Sequence, residues 1–179
     1  MAQSNEAVLR QPESLVVGCL APLRYGDKIN LAENVGSFAG AQHGSAEFTL
    51  CFAFDRAPLA SIALGANDSV INAIGNNHGY EQILAHELRA EAEPEDVFIA
   101  ISTSGNSANV IVALEQAFPV GVKTAVPNGQ MGGKLKGMCD CGCECVHSHE
   151  TARIQECHIL PEHILHGLVE EQYFSKQMN

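Results

Sequence analysis

A run of hydroxyl side chains in the middle of the chain has the composition of an anion-binding loop. Val97–Ile101 is continuously apolar, as is typical of a buried strand in a parallel sheet, and Ser-Thr-Ser-Gly-Asn-Ser follows at 102–107. Apolar residues with helical spacing resume at Val110. Hydroxyls, free backbone N–H groups and the positive end of a helix dipole favour an anion, most often phosphate. We therefore predict a phosphate site at Ser102, Thr103, Ser104 and Ser107. The alternative, a serine-rich turn with an N-cap, needs only one hydroxyl.

An imidazole and a carboxylate are paired earlier in the chain. His43 and Glu47 lie four residues apart in a predicted helix, Phe38–Phe48, so their side chains share one face. These groups can transfer protons or bind a metal ion. The spacing alone favours the simpler interpretation, a surface pair worth a few tenths of a kcal/mol.

A second pair lies on a long predicted C-terminal helix, Thr151–Phe174. Gln155 and His163 are eight residues apart, a little over two turns, so both side chains project to roughly one side. Pro161 removes a backbone hydrogen bond inside this helix, at a cost of up to ~3 kcal/mol or a kink. We expect the kink to rotate His163 relative to Gln155.

Four cysteines alternate with other residues between Cys139 and Cys145. In a strand, this alternation places all four thiols on one face, and His147 and His149 follow. One interpretation is a soft-metal site. Zinc sites, however, use Cys-x-x-Cys turns that converge on one point, whereas an extended row spreads its thiols over ~20 Å. We therefore favour a strand that uses cysteine as a small hydrophobic residue.

The order of the predicted elements assembles these groups in an α/β fold. Strands are predicted at 26–31, 60–64, 97–101 and 122–126, and helices at 38–48, 66–76, 81–91, 110–118 and 151–174. This alternation predicts a three-layer, open, mostly parallel sheet flanked by helices, as in flavodoxin-like folds. Ligands bind such sheets at the carboxyl ends of the strands, where the hydroxyl-rich loop and a glycine-rich segment, Asn128–Gly133, are predicted.

Length and composition limit the possible classes of protein. A chain of 179 residues with 46% hydrophobic residues predicts one domain, 1–179. It comprises a short N-terminal helical segment at 1–24, interrupted by Pro12 and Pro22, and a core at 25–174. No segment reaches transmembrane length and Met1–Arg10 lacks an export signal, so we expect a cytoplasmic protein without a membrane partner. A net charge of −11 without a basic cluster argues against nucleic acid. The seven cysteines are expected to be reduced.

Several motifs, in order along the chain, resemble those of SIS domains, which bind sugar phosphates. The motifs are Ile101–Val110, Ala73–Asn76, Gly132–Leu135 and Thr151–His158. Within the SIS domains they look most like those of the phosphoheptose isomerases, also called sedoheptulose 7-phosphate isomerases. The resemblance extends over about 26–171 and implies a sugar phosphate as the partner.

The resemblance also implies an activity and a set of site residues. The reaction would interconvert sedoheptulose 7-phosphate and D-glycero-D-manno-heptose 7-phosphate through an enediol, as the first step of ADP- or GDP-heptose synthesis for lipopolysaccharide. Glu47 matches the catalytic base and His163 the acid. Substrate contacts are implied for Asn34, Gly36, Ser37, Asn76, Asn77, Ser102, Thr103, Ser104, Ser107 and Gln155. Zinc ligands are implied at His43, Glu47, Gln155 and His163, with metal-free action as the alternative. A homotetramer with sites shared between subunits is also implied.

Four residues depart from the pattern of the family. Val35 replaces a glycine and would be strained if that position needs positive φ. Cys51 replaces an arginine, Asn77 replaces an aspartate, and Pro161 lies just before the predicted acid. Because these changes affect the support of the substrate, they favour an alternative function. This is a non-catalytic SIS protein that senses a sugar phosphate or regulates replication initiation.

Overall fold

The structure, a computed structural model, describes residues 2–141 and 145–175, with the backbone alone over 2–13 and at 145. The helices are α1 (Ala2–Tyr25), α2 (Phe38–Thr49), α3 (Asp68–His78), α4 (Ile83–Glu91), α5 (Ala108–Val120) and α6 (Thr151–Phe174). The strands are β1 (Ile29–Ala32), β2 (Ser61–Ala63), β3 (Val97–Ala100), β4 (Lys123–Ala125), β5 (Asn128–Gly129) and β6 (Cys145–Val146).

A four-stranded parallel sheet in the order β2-β1-β3-β4 forms the middle layer. Both central strands, β1 and β3, are buried along their whole length, which explains their nearly continuous apolar sequences. One core cluster packs α1, α2 and α6 on one face of the sheet, and a second packs α4 and α5 on the other. The predicted three-layer α/β fold is therefore confirmed.

A polar side chain lies in the central strand β1 because a partner is buried beside it. The amide of Asn30 donates hydrogen bonds to Asp96 Oδ2 (3.3 Å) and to the Val97 carbonyl oxygen (3.4 Å). Asp96 also accepts from the backbone N–H of Lys28 at 2.8 Å and pairs with its ammonium group at 2.9 Å. The polar groups in this part of the core are thus largely paired, as burial requires.

Prolines interrupt the helices less than the sequence predicts. The N-terminal segment was expected to be short and broken, but α1 continues through Pro12 and Pro22 to Tyr25. Its apolar face packs into the core, and this burial offsets the local cost of the prolines. Helix α6 has the predicted bounds and continues through Pro161. None of the helices in the described residues has the length and apolar character needed to cross a membrane.

The cysteine-rich segment does not form one extended strand in its described part. Cys141 makes an isolated bridge to Ala125, and β6 contains only Cys145 and Val146. Cys139 is disulfide-bonded, so the expectation of reduced thiols is wrong at this position. Cys143 lies outside the described residues.

Candidate active site

The hydroxyl-rich loop after β3 folds around its own hydroxyl groups. The Oγ atoms of Ser102 and Ser107 lie 2.9 Å apart, and Ser102 Oγ accepts the Gly105 N–H at 3.2 Å. Gly105 has φ +64°, and a Cβ there would lie 2.3 Å from the Gly132 carbonyl oxygen. Only glycine fits at this position, because the backbone must be left-handed and must pass close to a second loop.

That second loop is the glycine-rich segment, which begins at β5 and continues as a distorted 3₁₀ helix, Gln130–Leu135. It is fastened to the hydroxyl-rich loop by the Leu135 N–H, which donates to the Gly105 carbonyl oxygen at 3.0 Å. Met131 has φ 69° within it. A non-glycine residue with positive φ is typical of a constrained functional loop. Sequence reasoning missed Met131 because nothing in the local pattern marks it.

A reciprocal amide pair joins the turn after β1 to the start of α5. Asn34 Nδ2 donates to Asn109 Oδ1 at 2.9 Å, and Asn109 Nδ2 donates to Asn34 Oδ1 at 2.7 Å. The Tyr80 hydroxyl donates to the same Asn34 oxygen at 3.3 Å. Val35 has φ 52°, so the strain expected at this β-branched residue is present. Asn109 and Tyr80 were not predicted from the sequence.

The side chains of Ser37 and Gln155 meet beside a pocket of about 200 Å³. Gln155 Nε2 donates to Ser37 Oγ at 2.7 Å. Two carboxyl groups that sequence reasoning missed, Glu33 and Glu162, line the same pocket. Burial, helped by the charge of Glu162, raises the pKa of Glu33 to about 9. Burial, helped by the charge of Glu47, raises the pKa of Glu162 to about 8.

The predicted base and acid lie together where α2 faces α6. Glu47 Oε1 is 3.1 Å from His43 Nε2 and 4.0 Å from His163 Nε2. The two imidazole nitrogens are 3.2 Å apart. The His43–Glu47 pair is therefore part of a three-residue cluster rather than the plain surface pair that its spacing favours.

A third histidine, His166, lies behind the base and was not predicted. Its Nδ1 is 3.1 Å from Glu47 Oε2. The ring nitrogens also face two backbone carbonyls, that of Glu162 at 2.6 Å and that of Gly44 at 3.1 Å. Burial lowers the pKa of His166 to about 4, against the opposing effect of these carbonyls. His166 is therefore neutral near pH 7 and lies beside the second oxygen of Glu47, which accepts no hydrogen bond within the described part of the chain.

The cluster of His43, Glu47 and His163 has donor atoms that fit a zinc ion. The ligand atoms all lie within 4.8 Å of one another. A tetrahedral zinc with bonds of about 2.0 Å holds its ligand atoms about 3.3 Å apart. Two separations here, 3.1 Å and 3.2 Å, are close to this value, and that between Glu47 Oε1 and His163 Nε2 is longer, at 4.0 Å. Gln155, the fourth predicted ligand, donates to Ser37 instead. No contact in the described residues joins it to the cluster.

Comparisons with known proteins agree with this geometry. The SIS domain family model matches residues 5–126. A phosphoheptose isomerase of Aneurinibacillus thermoaerophilus is 44% identical over 96% of this chain and 86% of its own length. One from Burkholderia pseudomallei is 39% identical over 97% and 88%. A solved phosphoheptose isomerase from Neisseria gonorrhoeae is 33% identical and superposes with a TM-score of 0.87 over 95% of this chain and 90% of its own. This chain belongs to the phosphoheptose isomerase family of SIS domains.

The positions that depart from the family pattern differ in their surroundings. Asn77 is exposed on α3, where its amide donates to the Ala73 carbonyl oxygen at 2.8 Å, and Asn76 beside it is also exposed. No contact in the part of the chain described here joins either asparagine to the hydroxyl-rich loop. Cys51 is half-buried just after α2 and is a free cysteine. Arg56, five residues later, contacts the end of α2 through the Glu47 carbonyl oxygen at 2.8 Å.

Proposed function

We propose that this protein is a phosphoheptose isomerase that interconverts sedoheptulose 7-phosphate and D-glycero-D-manno-heptose 7-phosphate. Family membership over nearly the whole chain supports the proposal. The observation that carries it is the Glu47 carboxylate held against His43 and His163. A carboxylate and an imidazole can transfer protons near neutral pH, as interconversion of a ketose and an aldose requires.

The hydroxyl-rich loop binds the phosphate group in this proposal. Its hydroxyls and backbone N–H groups lie at the N-terminus of α5, where the helix dipole favours negative charge. Contacts between the two loops hold this arrangement before the substrate arrives. The net charge of −11 does not prevent binding, because local N–H groups and hydroxyls act at much shorter range than the charge of the whole chain.

Glu47 moves the carbon-bound proton. It removes a proton from C1 of the ketose while His163 donates a proton to the C2 oxygen, which gives the neutral enediol. The C1 hydroxyl then returns a proton to His163, the C1 carbonyl forms, and Glu47 returns its proton to C2. The reaction balances with no oxidant or reductant. The contact to His43 orients Glu47 Oε1 for these transfers, whereas Oε2 accepts no hydrogen bond from the described residues.

As the alternative to metal-free action, we also propose a zinc-bound form in which His43, Glu47 and His163 hold the ion. In that form His163 Nε2 would be a ligand and not the proton donor. The ion would supply a Lewis acid able to polarise a carbonyl oxygen. A homotetramer with shared sites and a cytoplasmic location complete the proposal. Metal analysis of the purified protein tests the zinc, and light scattering after gel filtration tests the homotetramer. Cell fractionation tests the location.

Incubation with sedoheptulose 7-phosphate, followed by NMR detection of the aldose product, tests the activity. We expect turnover by the wild-type protein and none above background by Glu47→Gln. Binding of the ketose without turnover by the wild-type protein would instead support the non-catalytic, sugar-phosphate-sensing alternative.

A further inference from the structure

Two carboxyl groups in the pocket beside Ser37 and Gln155 receive no complete set of hydrogen bonds from the residues that the structure describes. Glu33 is 6% exposed and Glu162 is 9% exposed, and both line the pocket. Among the described residues, Glu162 Oε1 has no hydrogen-bond partner. No described residue donates a hydrogen bond to Glu33 either. A buried polar group without a partner is costly, so this pair requires an explanation.

Helix α2 leaves space for these carboxyl groups. A Cβ at Gly40 would lie 3.0 Å from Glu33 Oε2. A Cβ at Gly44, one turn later, would lie 2.2 Å from Glu162 Oε1, which no real contact allows. Both carboxyl groups therefore lie against a face of α2 that carries no side chain at these two positions.

The chemistry of the pocket selects the groups that can occupy it. A phosphate is not favoured, because the lining of the pocket contains two carboxyl groups and neither lysine nor arginine. A preformed metal site is not favoured, because the one cluster with converging ligand atoms in the described residues is His43, Glu47 and His163. Hydroxyl groups fit, because each can donate one hydrogen bond to a carboxyl oxygen and accept one from an amide such as that of Gln155.

We propose that Glu33 and Glu162 are specificity-determining residues that bind hydroxyl groups on the carbon chain of a polyhydroxylated sugar phosphate. The proposal rests on the proposed function for the location of the phosphate, at the hydroxyl-rich loop. Ser37 lines the pocket and lies three residues after Asn34, which is hydrogen-bonded to Asn109 at the start of α5. The charge of Glu47 acts on Glu162. The two carboxyl groups would thereby favour a phosphate that carries a long hydroxylated carbon chain over a phosphate that carries no such chain.

The test compares two probes that cannot react. Sedoheptitol 7-phosphate, the borohydride-reduced ketose, has the sugar hydroxyls and the phosphate but no carbonyl. Inorganic phosphate has no carbon chain and therefore none of the sugar hydroxyls. Calorimetric titration in EDTA measures both. We expect Glu33→Met and Glu162→Met each to weaken binding of sedoheptitol 7-phosphate about tenfold, the loss of one hydrogen bond, and to leave inorganic phosphate within about twofold.

Conservative and remote variants make the result specific. Glu33→Gln and Glu162→Gln retain a hydrogen-bonding oxygen, and we expect them to bind sedoheptitol 7-phosphate within about threefold of the wild-type protein. The exposed Glu115→Met on α5 should bind both probes unchanged. Unchanged binding by the Met variants, or an equal loss for both probes, would overturn the proposal. Because the readout is binding, failure of catalysis by the wild-type protein would be a separate result.

Discussion

Two buried glutamates on helix α6 have opposite environments. Glu170 is 1% exposed and accepts hydrogen bonds from the backbone N–H of Phe52 (2.7 Å), the N–H of Ala53 (2.7 Å) and Arg56 Nε (2.6 Å). Although burial acts to raise the pKa of Glu170, these donors lower it below its ordinary value. Glu162, two turns earlier and 9% exposed, lacks such donors, and burial raises its pKa.

The comparison distinguishes Glu170, whose carboxylate stabilises the fold, from Glu162, whose carboxyl group is available to a ligand. Arg56 links Glu170 to α2 by donating to the carbonyl oxygens of Phe48 and Glu47, both at 2.8 Å. The helix that carries the proposed base is therefore fixed against the helix that carries His163. The protein itself supplies the hydrogen-bond donors that Glu170 needs. For Glu162 and Glu33, we expect the donors to come from a ligand that enters the pocket.

The largest effect on stability is expected from breaking the buried Arg56–Glu170 ion pair. Arg56→Met leaves the Glu170 carboxylate buried with one fewer donor and no counter-charge, which we expect to cost about 3–5 kcal/mol of unfolding free energy. Urea denaturation measures the loss. The matched control is Arg153→Met, because the Arg153–Glu156 pair is 58% and 59% exposed and should contribute less than about 1 kcal/mol. Equal losses in the two variants would contradict the role assigned to the buried pair.

The proposed base lies between these two extremes, with a side chain that is 16% exposed. Glu47→Gln keeps the shape and hydrogen-bonding oxygen of the side chain but cannot take up a proton. We expect kcat to fall at least about a hundredfold, roughly 3 kcal/mol of barrier, with a change in unfolding free energy below about 1 kcal/mol. Steady-state kinetics with sedoheptulose 7-phosphate checks the first value. Retention of more than a tenth of wild-type kcat would remove Glu47 as the base.

The pH dependence of stability distinguishes the unpaired carboxyl groups. Glu33 ionises near pH 4.5 when unfolded but near pH 9 when folded, so the folded state binds an additional proton between these values. Stability is therefore lost as pH rises through this window. Glu33→Gln cannot ionise and should lose about 1–3 kcal/mol less than the wild-type protein between about pH 6 and about pH 9. Urea denaturation at each pH measures the unfolding free energy of both proteins. An equal loss of unfolding free energy in the two proteins across this range would show that Glu33 does not cause the loss.

The smallest effect is expected in the turn after β1. Val35 is 92% exposed and has φ 52°, so its side chain gains little from packing and strains the backbone. Val35→Gly relieves that strain at some cost in chain entropy, and we expect a net gain of up to about 1 kcal/mol. Thermal denaturation measures it, with Val17→Gly on α1, also exposed, as a control that should lose stability. A loss at Val35 would mean that the turn is not strained.

The sequence predicts best the features that depend on neighbours along the chain. The apolar run of β3 and its hydroxyl-rich loop, and the bounds of α6, follow from local periodicity. The continuity of α1 through Pro12 and Pro22 does not, because packing against the sheet outweighs local propensity. Arg56 and Glu170 lie 114 residues apart, and no spacing rule connects them.

The most direct test of the account is a crystal structure of Glu47→Gln soaked with sedoheptulose 7-phosphate. The account predicts the phosphate against Ser102–Ser107, the carbonyl carbon beside residue 47 and His163, and chain hydroxyls at Glu33 and Glu162. A phosphate in the loop with the carbonyl carbon out of reach of every His163 in the assembly would contradict it.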